Sequence, residues 1–484
     1  MFARIGILLG LLLGVANLGC ANSQMPSSVP SSFPTAAVTE QVMGPVRELP
    51  DRCVISPDGR HVVMIVPDWP HCTVFFDGKP WSKYDGVGRH GISFSPDSQH
   101  VAYVAFKGHK FFMVLDGKRG PEYDNMDRPI FSPDSTHLAY AAMKGKQWLM
   151  VLDGQEEMEY DDISPKPDFS EDSKHLVYRA NKGQNALVVL DGQAGPEYDN
   201  IYPPVLSPDG KHLAYVAWKG HDEAKHYEFA IVDGHSGPAY VNINGLLFSP
   251  DSQHLMYAVG NGSGVGFVVL DGTDGPRFDY VADPAFSPDS KHVVYTARTS
   301  TNDGVVVRDG KPGPAFFNIV TGNPPDDGVT FSPDSQHVAY IASRVLPGKH
   351  QEDILVLDDH IVGAAFELIE HPPVFSPDSQ HVACAANAHI FLRGWKSLVC
   401  VDGNAGPEYD HIIGTVFSTD SKHVAYVATT GRTCFVVVDR QVGPQYDWIG
   451  IGPEGNVIFD SDGALVYLAI KNRTLYRVHQ PVAN

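Results

Sequence analysis

A nine-residue string, SPDSQHVAY, recurs along this chain and limits what it can fold into more than any other feature. It begins at Ser95. It returns as SPDSTHLAY at Ser132, SPDGKHLAY at Ser207, SPDSQHLMY at Ser249, SPDSKHVVY at Ser287, SPDSQHVAY at Ser332 and SPDSQHVAC at Ser376. Variants begin at Ser56, Ser170 and Ser418, and a worn copy, DSDGALVY, begins at Asp460. The marker Asp stands at 58, 97, 134, 172, 209, 251, 289, 334, 378, 420 and 462, at spacings of 37 to 45 residues. That period suits a unit of four short strands, the size of a propeller blade.

The second unit shows how each one reads. Residues 92–95 make a short strand A, and Pro96-Asp97-Ser98 make a turn that Pro and Asp favour. Residues 100–106 alternate as strand B. Residues 111–115 are continuously apolar, as a strand C buried on both faces should be. Asp116-Gly117 is a hairpin signal, and GPEYD at 120–124 leads strand D. The fold class is therefore all-β: a β-propeller of about eleven four-stranded blades.

Ring closure is also written in the chain. The segment 44–49 (GPVREL) resembles GPEYD and precedes the first blade, while the last unit has strands A, B and C but no D. Pairing the two ends removes two open sheet edges. Eleven blades exceed the usual number, about four to eight per ring, so two rings are expected, with one large ring as the alternative. The polar insertion 321–328 (TGNPPDDG) is the expected boundary, with blades 1–7 in 44–320 and blades 8–11 in 328–480.

The FSPDSxHxAY units resemble the WD-repeat-like propeller repeats of the TolB group, whose hallmark is FSPDGxxIAY. The likeness runs over roughly residues 50 to 470. Ser mostly replaces Gly in the turn here, and His stands where that group varies. Only a short linker precedes the blades, where TolB carries an α/β domain. The resemblance implies the fold and leaves function open, since propellers host enzymes, receptors and scaffolds alike.

The N-terminus reads as an export signal spanning 1–20. Arg4 is its positive end, and residues 5–18 are an uncharged apolar run ending at Gly19-Cys20. Cys20 resembles the lipidated Cys of bacterial lipoproteins, although Asn17 stands where that motif usually has Leu. Lipidation at Cys20, tethering the protein to a membrane, and plain cleavage near Ala21 both stay open. Residues 21–43 are Ser- and Pro-rich and read as a flexible linker. The expected location is the periplasm or the outer surface of the cell envelope. The net charge of -21 argues against nucleic acid as a partner.

Five further Cys (53, 72, 384, 400 and 434) make no disulfide framework, though Cys384 and Cys400 fall on consecutive strands of one unit and have the option to pair. No cofactor or metal is expected, because no HExxH, P-loop, GxSxG elbow or zinc spacing is present. The ten His at one repeat position (from His61 to His423) are expected to hydrogen-bond across the SPD turn. The Asp of the YD pair (85, 124, 161, 199, 279, 410 and 447) is expected to cap a turn, and the neighbouring Tyr to pack between blades.

In an A-B-C-D meander the A–B and C–D turns share one face, and the B–C and D–A connections share the other. The first set is uniform here. The second varies, with long B–C segments at 219–226, 299–304, 343–353 and 387–396, and with Val241, Phe317 and Leu368 breaking the YD rule. Binding is expected there, because repeat proteins tolerate irregularity where the scaffold does not need the residue. The candidate binding residues are His221, Asp222, His226, His350, Asp353, His389, Arg393 and Trp395. The sequence thus points to a non-catalytic binding or scaffolding module for an envelope protein, peptide or glycan. The alternative is a propeller hydrolase or lyase whose His and carboxylates converge at the variable face.

Overall fold

The computed structural model describes residues 38–482 except 46–51, 165–166, 221–226, 261–263, 321–327, 347–350, 370–371, 391–393, 451–456 and 461. The described residues form strands and turns and contain no helix. They build eleven separate antiparallel sheets, each in the order A-B-C-D, and in six of them strand A is split into two short pieces. These sheets are the blades.

Strands B and C follow their sequence pattern. In blade 2, Val101–Lys107 and Lys110–Leu115 bury their middle residues on both faces, because each blade is covered by a neighbour on either side. Every such Val, Leu or Phe contributes about 1.5–3 kcal/mol by leaving water. The Asp-Gly hairpins are true primed turns: Asp116 has φ 49° and Gly117 φ 75°, and positive φ at both central residues matches the strand twist.

Eleven core clusters, one per blade-to-blade interface, join the sheets into a ring. One packs Val294 and Val306 of blade 7 against Ile319, Val338 and Tyr340 of blade 8. Another packs Leu468 and Ile470 of blade 11 against Ile55, Val62 and Met64 of blade 1. The chain is therefore one ring of eleven blades, and the expected division into rings of seven and four is corrected. The 7–8 interface has a core like its neighbours, so the insertion at 321–328 marks no ring boundary.

Closure occurs as the repeat count requires, but with a different strand. Thr39–Pro45 pairs antiparallel with strand C of blade 11, from Thr39 opposite His479 to Pro45 opposite Thr474. The strand starts inside the expected linker, and residues 46–49 of the expected element lie outside the described residues. Register gives the reason. Glu40 takes the D-strand place that Glu156 has in blade 3: Tyr446 Oη donates to Glu40 as Tyr123 Oη donates to Glu156. Gly78 of blade 1 must be glycine for this strand to pass, since a Cβ there would stand 2.4 Å from the Met43 carbonyl.

Candidate functional site

The two faces of the ring are built from the same strands and use their polar groups differently. On the A–B/C–D face every repeat polar group is engaged. In ten blades the SPD Ser Oγ donates to the Asp two residues on at 2.5–2.7 Å, and accepts from the His backbone N–H. The His side chain does not span the SPD turn as expected. Its Nδ1 pairs instead with the hairpin Asp between strands C and D, as His100 does with Asp116 at 2.8 Å. All ten pairs lie at 2.5–2.8 Å. The other oxygen of that Asp accepts the N–H of the residue after the His, as in Val101 to Asp116. Blade 11 uses Asp460 in place of the Ser, and His479 reaches it.

The Ser that replaces Gly in these turns has a purpose that the sequence alone did not show. Ser98 sits at φ 63°, a strained left-handed conformation for a residue with a side chain. Its Oγ accepts the N–H of Asp58 in the preceding blade at 3.0 Å. All eight turns with Ser make this bond between blades. The turns with Gly59, Gly210 and Gly463 have no side chain to make it.

These bonds hold the SPD carboxylates in their charged form. Asp97 lies below the usual carboxylate range because Ser95 and the Gln99 N–H donate to it. Asp172 is lowered to about 2 by Lys174 and Ser170, and Asp420 to about 2 by Ser418 and Lys422.

On the B–C/D–A face six of the seven Asp of the YD pair cap a turn, as expected, and the turn belongs to the next blade; Asp279 of blade 6 makes no such bond among the described residues. Asp85, Asp124, Asp161, Asp199 and Asp410 accept the N–H of Gly108, Gly145, Gly183, Gly220 and Gly431 at 2.6–2.7 Å. Asp447 accepts from the Asn472 N–H. The neighbouring Tyr side chains pack edge-on against strand-B Tyr of the next blade, with ring centroids 6.1–6.4 Å apart from Tyr123–Tyr140 to Tyr446–Tyr467.

Blades 5, 7 and 8 lose the latch. Val241, Phe317 and Glu367 stand at the Asp position, and Leu368 follows Glu367. Val241, Phe317 and Leu368 are exposed, Phe317 at 53%. Tyr227, Tyr280, Val345 and Trp395 are exposed at the same end of their strands, Trp395 at 58%. Tyr227, Tyr280 and Val345 escaped the sequence reading, because single apolar residues at strand ends look like ordinary strand residues until burial is known.

The structure places the candidate residues unequally. His221, Asp222, His226, His350 and Arg393 lie outside the described residues. His389 is backbone-paired opposite Trp395 in the blade 9 hairpin. Asp353 is corrected. Strand B of blade 8 runs to Val345 and strand C starts at Gln351, so Asp353 is a buried strand residue, not a loop residue. Its carboxylate accepts from Ser343 Oγ at 2.7 Å and from the Ile369 N–H at 3.1 Å. Glu228 does the same for Ile243 at the 5–6 interface.

Among the described residues no group of three or more His, Cys, Asp or Glu is placed to hold a metal ion. Grooves of about 450, 520 and 260 Å³ lie between blades 5 and 6, 2 and 3, and 7 and 8. They lie on the A–B/C–D side; the first two are lined by its own His–Asp pairs, such as His254 and Asp271, and the third by the hairpin residues Asp309 and Asp358. The variable face instead presents protruding apolar side chains, a form that suits a broad contact.

No family model matches the chain, and no curated protein matches its sequence. The TolB likeness is therefore one of motif. Among solved structures, a eukaryotic initiation factor is similar over 80% of this chain and 91% of that one, at 11% identity and TM-score 0.42. The β-propeller domain of the trilobed protease from Pyrococcus furiosus is similar over 58% of this chain and 95% of its own, at 12% identity and TM-score 0.28. The tricorn protease is similar over 87% of this chain and 57% of its own, at 12% identity and TM-score 0.29. All three scores fall below 0.5, so the class of this protein, an eleven-bladed β-propeller, rests on its own sheet topology.

Proposed function

We propose that this protein is a non-catalytic binding or scaffolding module, and that it takes a protein, peptide or glycan on the B–C/D–A face over blades 5 to 9. One observation carries the reading. Where Val241 and Phe317 replace the latch Asp they are exposed, and one position further on Tyr280 of blade 6 and Leu368 of blade 8 are exposed as well. A scaffold gains nothing from leaving those side chains in water, and exposed apolar groups gathered on one face mark contact surfaces. Trp395 adds a residue type that anchors interfaces. Export to the cell envelope, with Cys20 as a lipid tether, belongs to the same proposal and rests on residues 1–20 of the sequence.

The test uses the repeat's own residue. The variant Val241→Asp/Phe317→Asp restores the Asp found in seven other blades while removing exposed apolar surface. Parent protein is screened against a random peptide display library and a glycan array. The expected result is binders that weaken at least about tenfold on this variant, a loss of about 1.4 kcal/mol, while the variant's melting temperature is kept. Binders indifferent to the variant, or none from either screen, would overturn the reading.

A further inference from the structure

Blade 9 departs from the repeat at two positions, and the two face each other. Strand B carries Tyr at the equivalent place in nine blades, for example Tyr103 opposite Val114 in blade 2. In blade 9 the residue is Cys384, and its cross-strand partner is Cys400. Both are 1% exposed and lie in the core shared by blades 8 and 9. Directly opposed residues of an antiparallel pair have Cα atoms about 4.5–5.5 Å apart, inside the range a disulfide needs, about 4.4–6.8 Å. The hydrogen bond between the two thiols lowers Cys400 from its ordinary value and raises Cys384. The other described cysteines, Cys53, Cys72 and Cys434, also stand as free thiols, and none of them has a Cys opposite it in its sheet.

We propose that Cys384 and Cys400 are the site of a cross-strand disulfide that locks the base of the blade 9 hairpin. The oxidant is a disulfide, either glutathione disulfide or a protein of the thiol–disulfide oxidoreductase class. One thiolate attacks it to give a mixed disulfide, and the second displaces that partner. Two thiols lose two protons and two electrons, and the oxidant leaves as two thiols. Burial sets the order of events. The hairpin is local in sequence and forms first. The exchange takes place before blade 8 covers the pair.

The bond has a consequence for the variable face. The hairpin formed by Val382–Ile390 and Gly394–Val401 is paired from Ala383 opposite Val401 out to Ile390 opposite Gly394. Trp395 sits near its tip, opposite His389. A covalent link at the base restricts the splaying of the two strands and pre-orders Trp395. Formation in the cell needs an oxidising compartment, so that part rests on the export reading. The chemistry itself is tested without it.

The full chain is unfolded, reduced and refolded in a glutathione redox buffer. Remaining thiols are then alkylated under denaturing conditions and the digest is read by mass spectrometry. The expected result is a linked pair of peptides carrying Cys384 and Cys400, with Cys53, Cys72 and Cys434 alkylated, and a melting temperature that falls on reduction. The variant Cys384→Tyr/Cys400→Val restores the residues of blade 2, and its melting temperature should not respond to reductant. Alkylation of Cys384 and Cys400 to the same extent as Cys53, or linkage to other cysteines, would overturn the proposal. Linkage in the refolded protein but not in protein isolated from its own cells would keep the site and reject export.

Discussion

The two faces of the ring share every strand and differ in what the strand ends do. On the A–B/C–D face eleven SPD-type Asp and ten hairpin Asp recur, against five Lys or Arg in each set of turns. Much of the charge of -21 is thus the by-product of a structural lattice in which these carboxylates, Asp462 of blade 11 apart, serve one or more N–H or O–H donors. On the B–C/D–A face the same principle operates in six latches from Asp85 to Asp447, and stops in blades 5 to 8, where blade 6 keeps Asp279 without the bond. The lesson is that uniformity in a repeat protein tracks the polar groups the scaffold must satisfy. Interruption of the pattern exposes surface the scaffold does not use.

The largest break in this comparison should come from the hairpin Asp. Asp153→Ala strands the Leu138 N–H and the His137 ring together. A buried donor left without a partner costs about 1–3 kcal/mol, read as a lower denaturant midpoint. An unchanged midpoint would mean the lattice is ornamental. Next comes the turn Ser, where two variants separate the bond from the backbone. Ser98→Ala removes the acceptor for the Asp58 N–H and keeps φ at 63°, so it should cost about 1 kcal/mol. Ser98→Gly also removes the acceptor but relieves the conformation, and should fall near neutral. A Ser98→Ala midpoint equal to the parent's would mean that the bond between blades has no measurable worth, and a Ser98→Gly midpoint equal to that of Ser98→Ala would mean that the backbone carries no strain.

Acid should act on the uniform face. In the ten blades with an SPD Ser the Asp carboxylates have folded pKa values below their unfolded value of about 3.9, with Asp172 and Asp420 at about 2. Their contribution is complete above about pH 4 and is lost as pH falls through the folded values. The melting temperature should therefore drop between about pH 4 and pH 2. A flat profile over that window would contradict the pairing. The smallest effect belongs to the exposed latches. Asp124→Ala should move the denaturant midpoint least of these variants, because Lys110 and the Gly145 turn remain in water.

Much of the fold could be read from the chain before any coordinates. Turn chemistry and strand pattern repeat at a fixed offset, so the blade number, the strand order and the use of the N-terminal segment to close the ring all followed. Ring number did not. Whether blade 7 packs on blade 8 depends on the small rotation between blades, and Val294 and Ile319 look like any other strand residues. The site was legible as a face but not residue by residue. Asp353 failed because strand length, not composition, decides whether a polar residue beside a loop points inward. The role of Ser98 was not legible for a related reason: its partner is the Asp58 N–H, in a different blade.

The proposed function divides the labour of the ring between a face that builds it and a face that binds. Hydrogen–deuterium exchange on the free protein and on its complex with a peptide or glycan recovered from the screens tests it most directly. The expected result is added protection confined to the B–C and D–A segments of blades 5 to 9, around Tyr227, Val241, Phe317, Leu368 and Trp395. Protection centred on the SPD turns and Asp-Gly hairpins, with these segments unchanged, would contradict it.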